Sequence, residues 1–327
     1  MKMMVRVRVP ASSANLGPGY DVFSVALENP HLIVEATAVE GGSVSIVNMG
    51  EHAGEVTDDP EKHAGARAAR RLLSDRAPSK GVQIRVNVSI PPRKGLGLSG
   101  AEAAGAVYAV NYLYKLGLTP GELIQYAAYA EPGGHLDNVA ASLLGGFTIS
   151  LKDSLLGGTV FKTLRPPDDL GLTVIVPDVY KTSTEDARKA VPEQVSGRHL
   201  VEAVARSSLA AACLAASDVD LLLRCVLYDP YVELARADAG VYGRGVGRHT
   251  LLAEKLELYK RYHVVETISG AGPSRLLWYK LSENTGGEGT RPVDRAVEII
   301  RDNLASAGYR ISRIYHTRPS TLGCQLY

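Results

Sequence analysis

Ile90-Pro91-Pro92-Arg93-Lys94-Gly95-Leu96-Gly97-Leu98-Ser99-Gly100-Ala101-Glu102-Ala103-Ala104-Gly105-Ala106 is the stretch on which the reading of this chain turns. Ahead of it Val82, Ile84, Val86, Val88 and Ile90 alternate with other residues, the pattern of a strand with one buried face. Two prolines then turn the chain, glycines follow at 95, 97 and 100, and an alanine-rich helix begins. Glycine lets a backbone approach an anion closely, and a helix start offers unpaired N–H groups at the positive end of its dipole. The stretch therefore reads as a phosphate cradle and points to a nucleotide-using enzyme. The alternative is a glycine turn ahead of an ordinary helix.

Two familiar phosphate loops are excluded. Gly95, Gly97 and Gly100 have the spacing of the dinucleotide fingerprint, but Pro91 to Lys94 separate them from the strand. The region about 20 residues on, where that fold needs an acidic strand end, reads here as helix. No Gly-Lys-Ser/Thr follows a four-residue gap, so the Walker pattern is absent as well.

At 327 residues the chain has room for two domains, each with its own core. Hydrophobic residues make up 45% and charged residues 22%, an ordinary globular composition. A net charge of +1 gives no global field toward nucleic acid or an acidic membrane, so neither is an expected partner. Three cysteines, Cys213, Cys225 and Cys324, form no close-spaced metal pair, which fits a reduced cytoplasmic setting. The N-terminus reads as strand (Val5, Val7, Val9) rather than signal peptide, and no apolar run is read as membrane-spanning.

Along the chain, His31–Val39 and Ser43–Met49 are expected strands and His63–Leu73 a helix. Ala101–Leu116 is a longer helix closed by Gly117, and Thr119-Pro120-Gly121-Glu122 opens another with a capping box. The Pro/Asp-rich stretch Phe161–Asp169 marks a border, giving domains 1–160 and 161–327. Beyond it, Leu172–Pro177, Val264–Ser269, Arg275–Tyr279 and Tyr309–Tyr315 read as strands. Leu200–Ala216, Val219–Val226 and Pro292–Ala307 read as helices, and the glycine-rich Asp238–Thr250 as loop.

Three further segments carry chemistry-bearing residues. Val9-Pro10-Ala11-Ser12-Ser13-Ala14-Asn15-Leu16-Gly17-Pro18-Gly19-Tyr20-Asp21 is a strand followed by a polar glycine loop, in which Asn15 and Asp21 suit a hydroxyl and an ammonium. Glu131-Pro132-Gly133-Gly134-His135-Leu136-Asp137-Asn138 packs four polar or ionisable side chains between two helical runs. There Glu131 suits a hard cation such as Mg²⁺, and His135 is either a ligand-binding or a loop-capping histidine. Ile268-Ser269-Gly270-Ala271-Gly272-Pro273-Ser274 offers either a second wall for phosphates or a plain hairpin loop.

Taken in order, the four segments resemble the motifs of the GHMP kinase superfamily, and within it those of the homoserine kinases. The resemblance covers nearly the whole chain. It implies a two-domain α+β fold, with an N-terminal domain like domain 2 of ribosomal protein S5 and a C-terminal ferredoxin-like domain. It implies ATP and Mg²⁺ as cofactors and phosphorylation of the side-chain hydroxyl of L-homoserine, a step of threonine biosynthesis. By resemblance the ATP phosphates rest on Pro91, Lys94, Gly95, Leu96, Gly97, Leu98, Ser99, Gly100 and Ala101, with Gly270 and Gly272 opposite and Lys62 toward the purine. Ser99 and Glu131 would hold the metal, with Asp137 as the other carboxylate available. Asn15, Asp21, His135 and Asn138 would surround the amino and hydroxyl end of the substrate. Thr184, Arg188 and Arg236 resemble the family's carboxylate clamp, since a guanidinium matches a planar carboxylate in a bidentate fork; outside the resemblance, either arginine reads as a solvated helix-end charge.

The chain departs from the family pattern at Lys62, where relatives often carry Asn, in a segment from Glu131 to His135 shorter than the usual spacing, and at two loop positions. Leu98 stands where the first of two loop serines is usual, and Glu102 where a small residue is usual. Asn138 stands where mevalonate kinase-like relatives carry an aspartate, so the expected mechanism is direct hydroxyl attack without a strong protein base. The alternatives are another small-molecule kinase of the superfamily, acting on mevalonate, shikimate or pantoate, or a non-catalytic ligand-binding relative. The sequence does not give the oligomeric state; an exposed apolar face on the C-terminal domain would be compatible with a homodimer.

Overall fold

The structure is a computed structural model that describes residues 3–179, 184–287 and 289–327. The chain opens with β1 (Met4–Asn15), β2 (Gly19–Glu40) and β3 (Val44–Met49). Next come α1 (Ala64–Arg76), β4 (Lys80–Asn87), α2 (Leu98–Tyr114), α3 (Pro120–Ala128) and α4 (Asp137–Leu144). The hairpin β5 (Phe147–Lys152) and β6 (Thr159–Leu164) completes the first part. The second part runs through β7 (Leu170–Pro177), α5 (Thr184–Lys189), α6 (Gly197–Ala216), α7 (Val219–Val226), α8 (Val232–Asp238) and α9 (Arg248–Tyr262). It ends with β8 (Val265–Ile268), β9 (Arg275–Lys280), α10 (Pro292–Ser306), β10 (Ile311–Thr317) and the short β11 (Gln325–Leu326).

The first sheet runs β11-β1-β2-β4-β3, with β5 pairing to β2 and β6 to β5. Its neighbours are antiparallel except β3 and β4, which α1 joins in parallel. The second sheet is antiparallel, in the order β10-β7-β9-β8. That order, with α10 between β9 and β10, is the expected ferredoxin-like arrangement; α5 to α9 fill the connection from β7 to β8.

The alternating face expected before the glycine loop is present: Val82, Ile84, Val86, Val88 and Ile90 are all fully buried. They pack in one core with Val7, Val9 and Val34 of the sheet and with Ala103, Ala106 and Val107 of α2. Alanines and Gly105 let α2 lie close on the sheet, since a Cβ at Gly105 would stand 2.6 Å from Val34 Cγ2. The capping box is also present: Thr119 accepts from Glu122 N and the Glu122 carboxylate accepts from Thr119 N.

Three sequence expectations need correction. The border at 160/161 falls inside β6, which is hydrogen-bonded to β5 along its length and so belongs to the first sheet. The chain also returns to that sheet at its end, where β11 pairs with β1. Asp238–Thr250 is not one loop: α8 and α9 flank a glycine turn, and α9 begins at Arg248. Among the described residues α6 is long and apolar enough, by length and composition alone, to cross a membrane, at a mean hydropathy of 1.2. It buries Ala210, Cys213 and Leu214 and leaves Leu200, Val201 and Val204 exposed.

The two sheets share a core. Phe147 of β5 and Trp278 of β9 are stacked at 5.8 Å and buried in one cluster with Val174 and Leu276. Phe147→Ala is expected to destabilise the protein by about 3–5 kcal/mol, through lost transfer and the cavity left behind. Chemical denaturation followed by emission of the lone tryptophan measures this.

Candidate active site

Where the two sheets meet, a cleft of about 430 Å³ opens over the start of α2. Gly97, at φ +66°, precedes that helix, and no side chain caps it, so the first-turn amides of Leu98 and Ser99 are left for a ligand. A Cβ on Gly97 would stand 2.2 Å from Ser12 Oγ and 2.8 Å from Asn138 Oδ1. Only glycine fits both the conformation and the space.

The C-terminal domain closes on this loop through the 269–274 turn. Ser269 Oγ donates to Gly95 O at 2.8 Å, Gly270 N donates to Ala14 O at 3.0 Å, and Ser274 N donates to Lys94 O at 3.3 Å. Glu233 of α8 accepts from Ile268 N at 2.8 Å and holds the base of the turn. Gly270 and Ala271 line the cleft.

Ser99 and Glu131 come together as the sequence suggested: Ser99 Oγ donates to Glu131 Oε2 at 3.1 Å. A hydroxyl beside a carboxylate, at the phosphate end of a cleft, is a donor set a hard cation accepts. Asp137 is not beside them. It is buried at the start of α4, accepts from Asn138 N at 2.7 Å, and burial raises its pKa.

Across the cleft stands a cluster of charges. Asp21 lies 2.9 Å from Arg188 and 3.4 Å from His135, and Arg188 also hydrogen-bonds His135. Burial pushes the Asp21 carboxyl up, but the hydrogen bonds from His135 and Arg188 outweigh it and hold its pKa below the ordinary value. Arg236 is buried on α8, with Nε donating to Ala187 O at 2.8 Å and its guanidinium 5.2 Å from the Tyr20 ring centroid. The loop that carries Asp21 holds non-glycine residues in left-handed conformations: Asn15 at φ 72°, Leu16 at φ 50° and Asp21 itself at φ 57°. Such backbone persists where surrounding structure over-determines it, and it clusters at functional sites.

Asn138 sits between the two halves. Its Oδ1 accepts from Ser12 Oγ at 3.0 Å. Asn15 also lines the cleft, but its amide is engaged: Nδ2 donates to Gly270 O at 2.7 Å and Oδ1 accepts from Asp21 N at 3.1 Å. It shapes the site more than it faces a ligand.

Several expected contacts point elsewhere. Lys94 is buried and donates to Pro177 O and Val179 O, at 2.8 and 2.6 Å, so it ties the loop to the end of β7. Burial lowers its pKa to about 8. Gly100 backs onto Asn138, Ala101 lies in the core, and Gly272 packs under Tyr242; none of them lines the cleft. Pro91, Leu96, Leu98 and Lys62 do line it. The side chain of Thr184 lies outside the described residues. Sequence reasoning missed Ser12 and the role of His63. His63 caps α1 by accepting from Gly65 N at 3.0 Å, so the helix begins one residue later than its sequence pattern suggests.

Comparison with known proteins bears on this geometry. Residues 64–146 match the model of the GHMP kinases N terminal domain. A homoserine kinase of Methanococcus maripaludis is 34% identical over 83% of this chain and 86% of its own. Another, from Methanopyrus kandleri, is 33% identical over 94% and 96%. The crystal structure of a homoserine kinase from Cytophaga hutchinsonii superposes with a TM-score of 0.83 at 25% identity, over 100% of this chain and 98% of that one.

Proposed function

We propose, because this chain belongs to the homoserine kinase family of the GHMP kinases, that its cleft moves the γ-phosphoryl group of ATP onto the side-chain hydroxyl of L-homoserine. The observation that carries the substrate half is the Asp21–Arg188 pair, 2.9 Å apart in the cleft that holds the glycine loop. An amino acid brings an ammonium and a carboxylate, which match Asp21 and Arg188 one for one and can replace each by the other's partner. Acids without an ammonium, such as mevalonate, shikimate or pantoate, would strip Asp21 of its cation and return none. Arg236 supplies a second guanidinium for the carboxylate, with Tyr20 stacked against it.

ATP phosphates rest on the open amides at the start of α2. Ser99 and Glu131 are the residues that would hold Mg²⁺, whose charge offsets that of the phosphates. The substrate hydroxyl attacks the γ-phosphorus in line; the new O–P bond forms as the bond to the β–γ bridging oxygen breaks, and ADP leaves. Asn138, its carbonyl oxygen taken by Ser12, turns its NH₂ to the hydroxyl oxygen and fixes its direction. An amide has no useful basicity, so the hydroxyl proton passes to a phosphate oxygen. A loose phosphoryl-transfer transition state asks mainly for positioning and charge stabilisation.

Phosphorus NMR of the protein incubated with ATP, magnesium and homoserine tests the reading. It expects a new phosphomonoester resonance that grows with ADP; ADP without that resonance refutes it. Asn138→Asp tests the mechanism. It is expected to lower kcat and to add no acid limb to the pH profile, because a new carboxylate beside Asp137 repels the phosphates. A rise in kcat would show that a base was wanting.

A further inference from the structure

Glu102 is a cleft residue to which the proposed reaction gives no task. It follows Ser99 by three positions on α2, which places it one turn deeper on the same side of the helix. It lines the cleft and is 3% exposed. Its Oε1 is buried with no hydrogen-bond partner, and His63 Nε2 stands 3.5 Å away. The His63 ring is fixed: Nδ1 accepts from Gly65 N, so the ring proton is on Nε2, between Asn48 Oδ1 at 3.2 Å and Glu102. A buried carboxyl in this state is costly unless a ligand completes its hydrogen bonding.

We propose that Glu102 is a nucleotide-binding residue whose carboxyl donates a hydrogen bond to a phosphate oxygen of the nucleotide seated on the start of α2. The inference rests on the ATP half of the reading above and not on homoserine. His63 gives its N–H to Asn48 Oδ1, so Glu102 Oε1 is left without a donor and the protonated acid has its own hydrogen to give. Burial, reinforced by the nearby Glu131, pushes the Glu102 carboxyl up to about 8. A protonated acid is a donor, and a phosphate oxygen is an acceptor. An ionised carboxylate in the same place would repel a polyphosphate, and a small residue would leave the His63 side of the cleft without a polar partner.

Wild type, Glu102→Gln and Glu102→Met, each with magnesium, are titrated calorimetrically with a non-hydrolysable ATP analogue, and both KM values are measured. Glutamine keeps the shape, an acceptor oxygen and a donor for the phosphate, so its Kd should stay within about threefold of wild type. Methionine keeps the bulk without the hydrogen bonds, so its Kd and KM for ATP should rise about tenfold, with the KM for homoserine unmoved. Glu102→Leu carries the same comparison if methionine unfolds the helix. The inference is overturned if the apolar variant binds the analogue as well as wild type, or if glutamine loses as much affinity as methionine. Failure of wild type to bind the analogue would remove the ATP reading and this inference together. Binding of the analogue without phosphorylation of homoserine would remove only the acceptor, leaving Glu102 to be judged by the same titrations.

Discussion

Arg236→Ala should raise the KM for homoserine about 100-fold while leaving the KM for ATP within about threefold, because truncating one partner of a buried charge pair costs on the order of 2–5 kcal/mol. Arg236 reaches the cleft from α8, is 3% exposed, and is aimed by a hydrogen bond to Ala187 O and by Tyr20. Little water reaches it, so a carboxylate there meets a guanidinium whose orientation is already settled. Arg236→Lys keeps the charge and loses the fork, and should fall between wild type and alanine. Because Arg236 Nη1 also approaches Gly270 O at 3.4 Å, the alanine variant loses some stability too, which a thermal melt separates from the kinetics. An equal rise in both KM values would place Arg236 in the scaffold and not in the substrate pocket.

Gly97→Ala should reduce kcat/KM for ATP about 100-fold or more, the scale of losing a pre-organised backbone donor. Two independent costs combine. The left-handed backbone at φ +66° penalises alanine by about 1–2 kcal/mol. The added Cβ also meets Ser12 Oγ at 2.2 Å and Asn138 Oδ1 at 2.8 Å, so it displaces the side chain that directs the hydroxyl. Gly117→Ala is the control, since that glycine has φ +68° with nothing within 4 Å. It bears the backbone cost alone and should lose stability with kcat/KM unchanged. Similar kinetics for the two variants would mean that the loop's shape does not matter to ATP.

Much of this site was legible because it is local. The alternation of Val82 to Ile90, the glycines after it and the alanines of α2 each follow from a short-range rule, and together they place a helix start at the end of a buried strand. The capping box at Thr119 and the helix Val219–Val226 were legible for the same reason. What was not legible depends on partners distant in sequence. Lys94 reads as a phosphate ligand until β7 brings the carbonyls of Pro177 and Val179 to it. Phe161 onward looks like the start of a new domain until the register of β6 with β5 is seen. The glycines between 240 and 247 masked α8 and α9, since Gly243 and Gly245 sit at positive φ in a turn between two helices. In sequence, Glu102 shows only as a departure from the small residue usual at its position. Only the packing of His63 and Glu131 around it makes the residue intelligible.

The central claim is that one cleft joins a phosphate cradle on α2 to a zwitterion pocket made by Asp21, Arg188 and Arg236. Coupled ADP release, measured with magnesium over a panel of homoserine, 4-hydroxybutyrate, mevalonate, shikimate and pantoate, tests it most directly. The account predicts saturable turnover with homoserine and a kcat/KM at least about 100-fold lower for every acid lacking the ammonium. Turnover of 4-hydroxybutyrate as fast as homoserine, or preference for any other acid in the panel, would contradict it.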